Sequence, residues 1–409
     1  MNVWADRYKS LQNPRLCPVM TGFNANIDRI IRVTPSLLRA FRKQKKFSSI
    51  LNRLEHAMRY CSADEMVIHD PAAFSEISSY FSNTGSFALG GQAGIAALQM
   101  RRLGIASVIC AVPGAGSRTR TLLQHADVLP LTFPEAGRQP DRIHLIFEFS
   151  PGLVPLAEGV VPRNNRFIVS PAHDPHTVMI PINRQESFLD QIRSCQRAFL
   201  SGYQFLEKKE DFITAASQAL AVRRVNPLMR IHTECVSGVN SRVISMIIEH
   251  ILPHMDSIGL NERELGEFTK SFDLGSISGS PSSPVSMVRD ALACALATGV
   301  QRIHVHTFGY YILILAPGTG EPVSSQNALL FAAQKVAGEA GRGDQVLSHE
   351  GLMAYEKLLA AFGPDETLGI FTVGDHIVVF VPSLISQDVK KTTGLGDILS
   401  STAFVADPF

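Results

Sequence analysis

The sequence has no long hydrophobic run. Its most extended apolar stretch, Tyr310 to Pro317, is far short of the roughly 20 residues that a membrane-crossing helix needs. The opening Met-Asn-Val-Trp-Ala-Asp-Arg lacks the apolar core of a secretion signal, so no targeting segment is expected there. An excess of charge of either sign is missing as well: 38 Lys and Arg stand against 37 Asp and Glu, a net of +1. That balance argues against nucleic acid or an anionic membrane as the main partner. Cysteine is sparse. Cys17, Cys61, Cys110, Cys195, Cys235 and Cys294 lie at least 40 residues apart, without C-x-x-C or metal-finger spacing. They read as reduced core thiols of a cytoplasmic protein. Charged residues make up only 18% and hydrophobic residues 45%, which excludes a disordered chain and provides for a large core. At about 150 residues per domain, the 409 residues suggest two or three domains.

What is present is an alternation. Val19–Asn26, Ser107–Val112, Ala198–Gly202, Met229–Glu234, Ser257–Leu260 and Arg302–His306 read as short buried strands, often followed by glycine or polar residues. Ala93–Gly104 has helical apolar spacing and a terminal glycine. Strands separated by helices imply right-handed crossovers and a mainly parallel α/β sheet, whose ligands collect at the carboxyl ends of the strands. Residues 27–50, 71–91 and 141–175 break the pattern and suggest an inserted small sheet, with strand-like runs at Asp141–Phe149 and Asn165–Ser170. Ser276–Pro284 reads as a surface loop.

The chemistry-bearing residues stand at those strand ends. Near the end of the chain, Thr393-Gly394-Leu-Gly396-Asp397 leads straight into an apolar helix, so amides and the helix N-terminus can hold an anion beside Asp397. Gly341-Arg-Gly343-Asp344 repeats the pattern, but the next helix is expected only near Ser348, and a plain loop is expected here. His232-Thr-Glu234 and Asn261-Glu-Arg-Glu264 place carboxylates where a hydrated Mg²⁺ could be held. The second cluster fits a helix N-cap with its capping-box partner equally well. Gly90-Gly91-Gln92 opens the Ala93–Gly104 helix, either as a tight turn or as a ligand-lining one. His304 and His306 share one face of a strand, and Arg39, Arg42, Lys43, Lys45 and Lys46 fit a solvated helix face.

Asn24-Ala-Asn26-Ile-Asp28, Gly90-Gly91-Gln92, Ser201-Gly202-Tyr-Gln, His232-x-Glu234, Asn261-x-x-Glu264, His304-x-His306-Thr-Phe-Gly-Tyr and Thr393-Gly394-x-Gly396-Asp397 occur in one order. In that order they resemble the ADP-dependent sugar kinases, the glucokinases and phosphofructokinases of the ribokinase-like superfamily. The resemblance runs from about residue 19 to the last residues, with gaps near 276–284 and 316–370. It implies a three-layer α/β/α domain with a mainly parallel sheet plus a small discontinuous α+β lid. The expected division gives 1–26, 51–70, 92–140 and 176–409 to the large domain, and 27–50, 71–91 and 141–175 to the lid.

The resemblance also implies roles. Members move the β-phosphoryl of ADP to a sugar hydroxyl and release AMP, with Mg²⁺ or another divalent cation. Asp397 would take the hydroxyl proton, the Gly394 and Gly396 amides would stabilise the transferring group, and Arg166 would reach the β-phosphate from the lid. Glu234, Glu264 and Asn261 would hold the cation, and Asn261, His306, Thr393, Gly394 and Gly396 would contact the nucleotide. Asn24, Asn26, Asp28, Gly91 and Gln92 would meet the sugar, joined by Glu65, which lies 27 residues before Gln92 as in the glucokinase branch. Ser150-Pro-Gly-Leu-Val carries no basic residue where the phosphofructokinase branch tends to have lysines. Both features favour glucose over fructose 6-phosphate. The alternatives are a phosphofructokinase or bifunctional enzyme, an ATP-using kinase of the same superfamily, and a non-catalytic sensor. A monomer or small homo-oligomer is expected.

Overall fold

The computed structural model describes residues 3–133, 140–152, 160–173, 178–236, 240–272, 283–365, 367–389 and 393–409. Its strands in chain order are β1 (Val19–Gly22), β2 (Asn26–Arg32), β3 (Asp64–Ile68), β4 (Ser86–Gly90), β5 (Val108–Ala111) and β6 (Leu129–Leu131). They continue with β7 (Ile143–Phe149), β8 (Asn165–Pro171), β9 (Arg197–Leu200), β10 (Arg230–Glu234), β11 (Ser257–Asn261) and β12 (Arg302–His306). The last are β13 (Tyr310–Leu315), β14 (Gly341–Leu347), β15 (Ile370–Val373), β16 (His376–Pro382) and β17 (Leu384–Val389).

Ten of these form one sheet in the order β15-β16-β13-β12-β11-β10-β9-β1-β5-β6. From β6 to β12 every pair is parallel, whereas β13, β16 and β15 are antiparallel. Strands β1, β5 and β13 are buried at every residue, which requires cover on both faces. On one face, helix Leu395–Ala406 packs against helices Gln92–Arg102 and Pro322–Ala340. On the other, helix Pro284–Thr298 packs Met287, Val288 and Ala291 into one cluster with Ile303 and Val305. The topology is the expected α/β one, with a mixed, mainly parallel sheet.

The second sheet, ordered β3-β8-β7-β2-β4, has two unlike faces. Successive side chains alternate, so Ile31, Met66, Leu145, Phe147, Phe149, Phe167 and Val169 share a core with Leu38, Phe41, Leu54 and Met58 of helices Pro35–Arg42 and Ser48–Tyr60. The opposite face is polar. Register sets Asp28 opposite His144, Glu148 opposite Arg166, and Glu65 opposite Ile168. This corrects the expected division in one respect. Residues 51–70 belong with the small sheet, since Ser48–Tyr60 covers it and β3 pairs with β8. Gly341–Asp344 also differs from the expected loop. It lies in β14, paired with β17, and the next helix begins only after its N-cap Ser348. The expected loop at 276–284 falls outside the described residues up to 282, and Ser283 caps the helix that follows.

Candidate active site

The helix Leu395–Ala406 starts abruptly because Gly394 turns the chain at φ +73°, in the left-handed region that favours glycine. Close packing demands glycines here too. A Cβ at Gly394 would lie 2.7 Å from Ile95, and one at Gly396 would lie 3.0 Å from His306 Nε2. No side chain caps this helix start, and Asp397 sits in its first turn. Thr393 Oγ1 donates to Glu148 Oε1 of the small sheet at 3.4 Å, tying the loop to the opposite wall.

That wall is the polar face of the small sheet. Asp28 is buried, accepts from Asn26 Nδ2 at 2.6 Å, and has its pKa pushed up to about 7. Burial is the main cause; Asp397 and Glu65 add to it, while the Asn26 bond and Arg166 oppose it. Burial likewise lowers the pKa of Arg166, and Asp397, Asp28, Glu148 and Glu65 counter that with opposite charge. Glu65 is exposed at the rim, where its Oε1 accepts from Ser170 Oγ at 2.5 Å. His144 is held neutral, its pKa pushed down to about 3 by burial and by Arg142.

The floor is built from the ends of β1 and β4. Gly91 adopts φ +75°, and a Cβ there would come within 2.6 Å of Asn24 O and 2.8 Å of Asn26 Oδ1. Ala93 N donates to Asn24 O at 3.0 Å, locking the two segments together. Gln92 Nε2 donates to Cys235 O at 3.3 Å. Asn24 Oδ1, Asn26 Oδ1, Gln92 Oε1 and Arg166 Nε are all buried without a hydrogen-bond partner. Buried polar atoms are normally satisfied, so this set of acceptors beside a guanidinium marks a site shaped for a polyhydroxy ligand.

At the ends of β10 to β12, Glu234 is buried. It accepts at Oε2 from Ser400 Oγ at 2.5 Å and contacts His232 Nε2 at 3.1 Å. Burial raises its pKa well above the usual range, helped by Asp397 and Glu264 and opposed by the Ser400 bond. His232 is buried, and its pKa lies well below the usual value for the same reason. Asn261 and Glu264 form the capping box. Asn261 Oδ1 accepts from Arg263 N and Glu264 N at 2.9 Å, and Glu264 Oε2 accepts from Asn261 N at 2.7 Å. Among the described residues no cluster of three or more His, Cys, Asp or Glu could by itself hold a metal ion. Two neighbouring carboxylates, Glu234 and Glu264, fit Mg²⁺ instead, which takes one or two carboxylates and keeps water or phosphate as its other ligands. His306 stands opposite Asn261 in register, and His304 is fully buried beside it.

Electrostatic coupling places Asp397 near Asp28 and Arg166 on one side and near Glu234 on the other, with Glu65 exposed beside the first group. Sequence reasoning missed Ser170, Ser257, Gly259, Arg302 and Ser400. A Cβ at Gly259 would overlap Glu234 Oε2 and Ser400 Oγ, so glycine there is what admits the carboxylate. Nothing in the sequence marks Ser400 out from Ser401 and Thr402 beside it; the small residues between β11 polar positions were the available signal.

Among the described residues, no helix is long and apolar enough to cross a membrane. Residues 17–406 match the family model described as the ADP-specific phosphofructokinase/glucokinase conserved region. An ADP-dependent glucose/glucosamine kinase of Pyrococcus furiosus is 29% identical, with 100% of this chain and 99% of that protein covered. An ADP-specific phosphofructokinase of Methanosarcina acetivorans is 26% identical, covering 96% and 93%. A solved ADP-dependent kinase in complex with fructose-6-phosphate and ADPβS superposes with a TM-score of 0.82 at 25% identity, covering 98% of this chain and 96% of its own.

Proposed function

The chain belongs to the ADP-specific phosphofructokinase/glucokinase family and is an ADP-dependent sugar kinase; from that premise we propose that its acceptor is glucose and its products are glucose 6-phosphate and AMP. The observation that carries this reading is the pair of carboxylates at the acceptor end, Asp28 and Glu65, with the buried oxygens of Asn24, Asn26 and Gln92 around them. Acceptor-rich surroundings suit neutral hydroxyls, and Glu65, joined by Asp28 in its ionised form, disfavours a second phosphate. The neutral state of His144, beside Asp28, removes one possible counter-charge for such a phosphate.

In this reading Asp397 accepts the proton of the attacking hydroxyl at the helix N-terminus. The Gly394 and Gly396 amides and the Arg166 guanidinium stabilise the charge on the transferring phosphoryl, which is most of what such a transfer requires. Arg166 can pair bidentately with phosphate oxygens, so lysine would not replace it. Glu234 and Glu264 would hold a divalent cation, which would supply charge neutralisation for the phosphates, while Asn261 sets Glu264 through the capping box. Asn261, His306 and Thr393 line the nucleotide side.

The test is a sugar panel with ADP and Mg²⁺, run beside ATP. Glucose is expected to be phosphorylated with ADP at least tenfold more efficiently than fructose 6-phosphate; the reverse order would overturn the acceptor. Asp397→Ala is expected to lower kcat by about 10²–10⁴-fold, the usual contribution of a general base. A variant as active as the parent would remove Asp397 from that role.

A further inference from the structure

Beneath the helix that carries Asp397 runs a stripe of buried polar groups with one possible direction of donation. Arg302, fully buried, donates from Nε to Asp407 Oδ2 at 2.9 Å and from Nη1 to Ser257 Oγ at 3.0 Å. Ser257 Oγ also lies 2.8 Å from His232 Nδ1. On its other side, His232 Nε2 lies 3.1 Å from both Glu234 Oε2 and Ser400 Oγ. Ser400 Oγ is itself 2.5 Å from Glu234 Oε2.

An arginine has no acceptor, so its contact with Ser257 uses a lone pair of the hydroxyl. The hydroxyl hydrogen is then free for His232 Nδ1, which must be unprotonated to receive it. The single ring proton stands on Nε2 and is donated to Glu234 Oε2. Ser400 gives its own hydrogen to the same oxygen and can only accept from Nε2, which again requires the proton there. The opposite polarity fails at the first link: Nδ1–H and an arginine N–H would both point at Ser257, whose own hydrogen would find no acceptor among the described residues. The ring cannot turn away, because Phe199 and Phe404 flank it with centroids 5.1 and 5.0 Å distant. Glu234 Oε1 takes no part. Its nearest cationic candidate, His306 Nδ1, is 3.8 Å away, beyond hydrogen-bond reach.

We propose that Arg302, Ser257 and His232 are positioning residues: a one-way donor chain that ties Glu234 through Oε2 and so leaves Oε1 turned toward the divalent cation. This rests on the proposed role of Glu234 in holding that cation, and it adds that the hold depends on a charge buried two side chains further back. Metal-ligand carboxylates and their outer partners behave in this coupled way, and loss of an outer partner typically weakens metal affinity or activity 10–100-fold.

Two measurements test it. Two-bond ¹H–¹⁵N spectra of the uniformly labelled protein, free of sugar and nucleotide, are expected to show His232 as the Nε2–H tautomer. An Nδ1–H or doubly protonated ring overturns the proposal without any variant. Ser257→Ala removes the link while changing little volume. It is expected to mix the His232 tautomers and to raise the Mg²⁺ concentration for half-maximal activity about tenfold, with the sugar KM unchanged within twofold. Ser257→Thr, which keeps a hydroxyl, should recover most of that loss. An unchanged Mg²⁺ requirement, or an altered one with an unaltered tautomer, sinks the donor chain. The spectra need no substrate and the assay uses whichever sugar the panel selects, so failure of the glucose assignment leaves this result readable.

Discussion

Asp28 shows how much a single residue can report about the cleft. Its pKa of about 7 comes first from burial, with Asp397 and Glu65 adding repulsion. In the unfolded chain the same carboxyl titrates near 4. Between those values the folded state binds a proton that the unfolded state has released, so this residue's stabilisation is full below about 4 and fades as pH rises through about 7. Asp28→Asn should abolish that slope. Unfolding free energies of the two proteins, measured from pH 4 to 8, are expected to diverge by up to roughly 4 kcal/mol across the window, the parent losing ground as pH rises. Parallel curves would mean that Asp28 keeps an ordinary pKa. A sequence shows Asp28 as one carboxylate in an Asn-rich segment; its shifted titration comes from burial in the folded chain and, to a lesser degree, from Asp397, more than 300 positions away.

At the scale of elements, legibility followed burial. Strands β9 to β12 could be read because central parallel strands are apolar runs bounded by turn residues, and their ends pointed to Glu234, Asn261 and His306. The helix Ser48–Tyr60 carries an apolar stripe, but such a stripe does not say which sheet it covers, and residues 51–70 were expected in the large domain. Gly341–Asp344 was distinguished from Gly394–Asp397 by the missing helix start, yet its pairing with β17 is a long-range fact that no local pattern carries. Ser257, Arg302 and Ser400 were invisible for the same reason, being meaningful only as a chain through space. Glycines give the clearest element-scale prediction. Gly104, at φ +86°, has nothing within 4 Å of an added Cβ, whereas Gly91, at φ +75°, meets Asn24 and Asn26. Gly104→Ala should therefore cost about 1 kcal/mol of stability from backbone strain, with sugar KM unchanged. Gly91→Ala carries similar strain and also crowds Asn24 O and Asn26 Oδ1, so if Asn26 meets the sugar as proposed, kcat/KM for the sugar should fall more than tenfold. Equal kinetic effects at both positions would show that Gly91 has only a conformational role.

At the scale of the whole molecule, the two sheets keep separate hydrophobic cores. The chain crosses between them at 22–26 and 90–92, and again between β6 and β7 and after β8. Among the described residues the ties between them are mostly polar: Thr393 to Glu148 at 3.4 Å, Asn164 Nδ2 to Val389 O at 3.4 Å, Asp141 accepting from Thr119 N at 2.8 Å and Arg118 N at 3.0 Å, with His173 stacked on Phe205. Units with their own cores and a modest polar interface move relative to one another by default. The near-zero net charge fits the proposed function, in which Arg166 and the glycine amides supply locally the positive charge that an anionic nucleotide needs. If the small sheet swings as a body over the bound sugar, its own core should not tighten; the crossings should. Amide hydrogen exchange with glucose and AMP added is then expected to slow at least tenfold for Ala93, whose amide joins the two crossing segments by donating to Asn24 O at 3.0 Å. Amides inside β7 and β10 should change little, since both are already protected in the open molecule. Protection spread evenly over both sheets, or confined to β10 to β12, would mean that the cleft binds its ligands as a rigid body and that the crossings are not hinges.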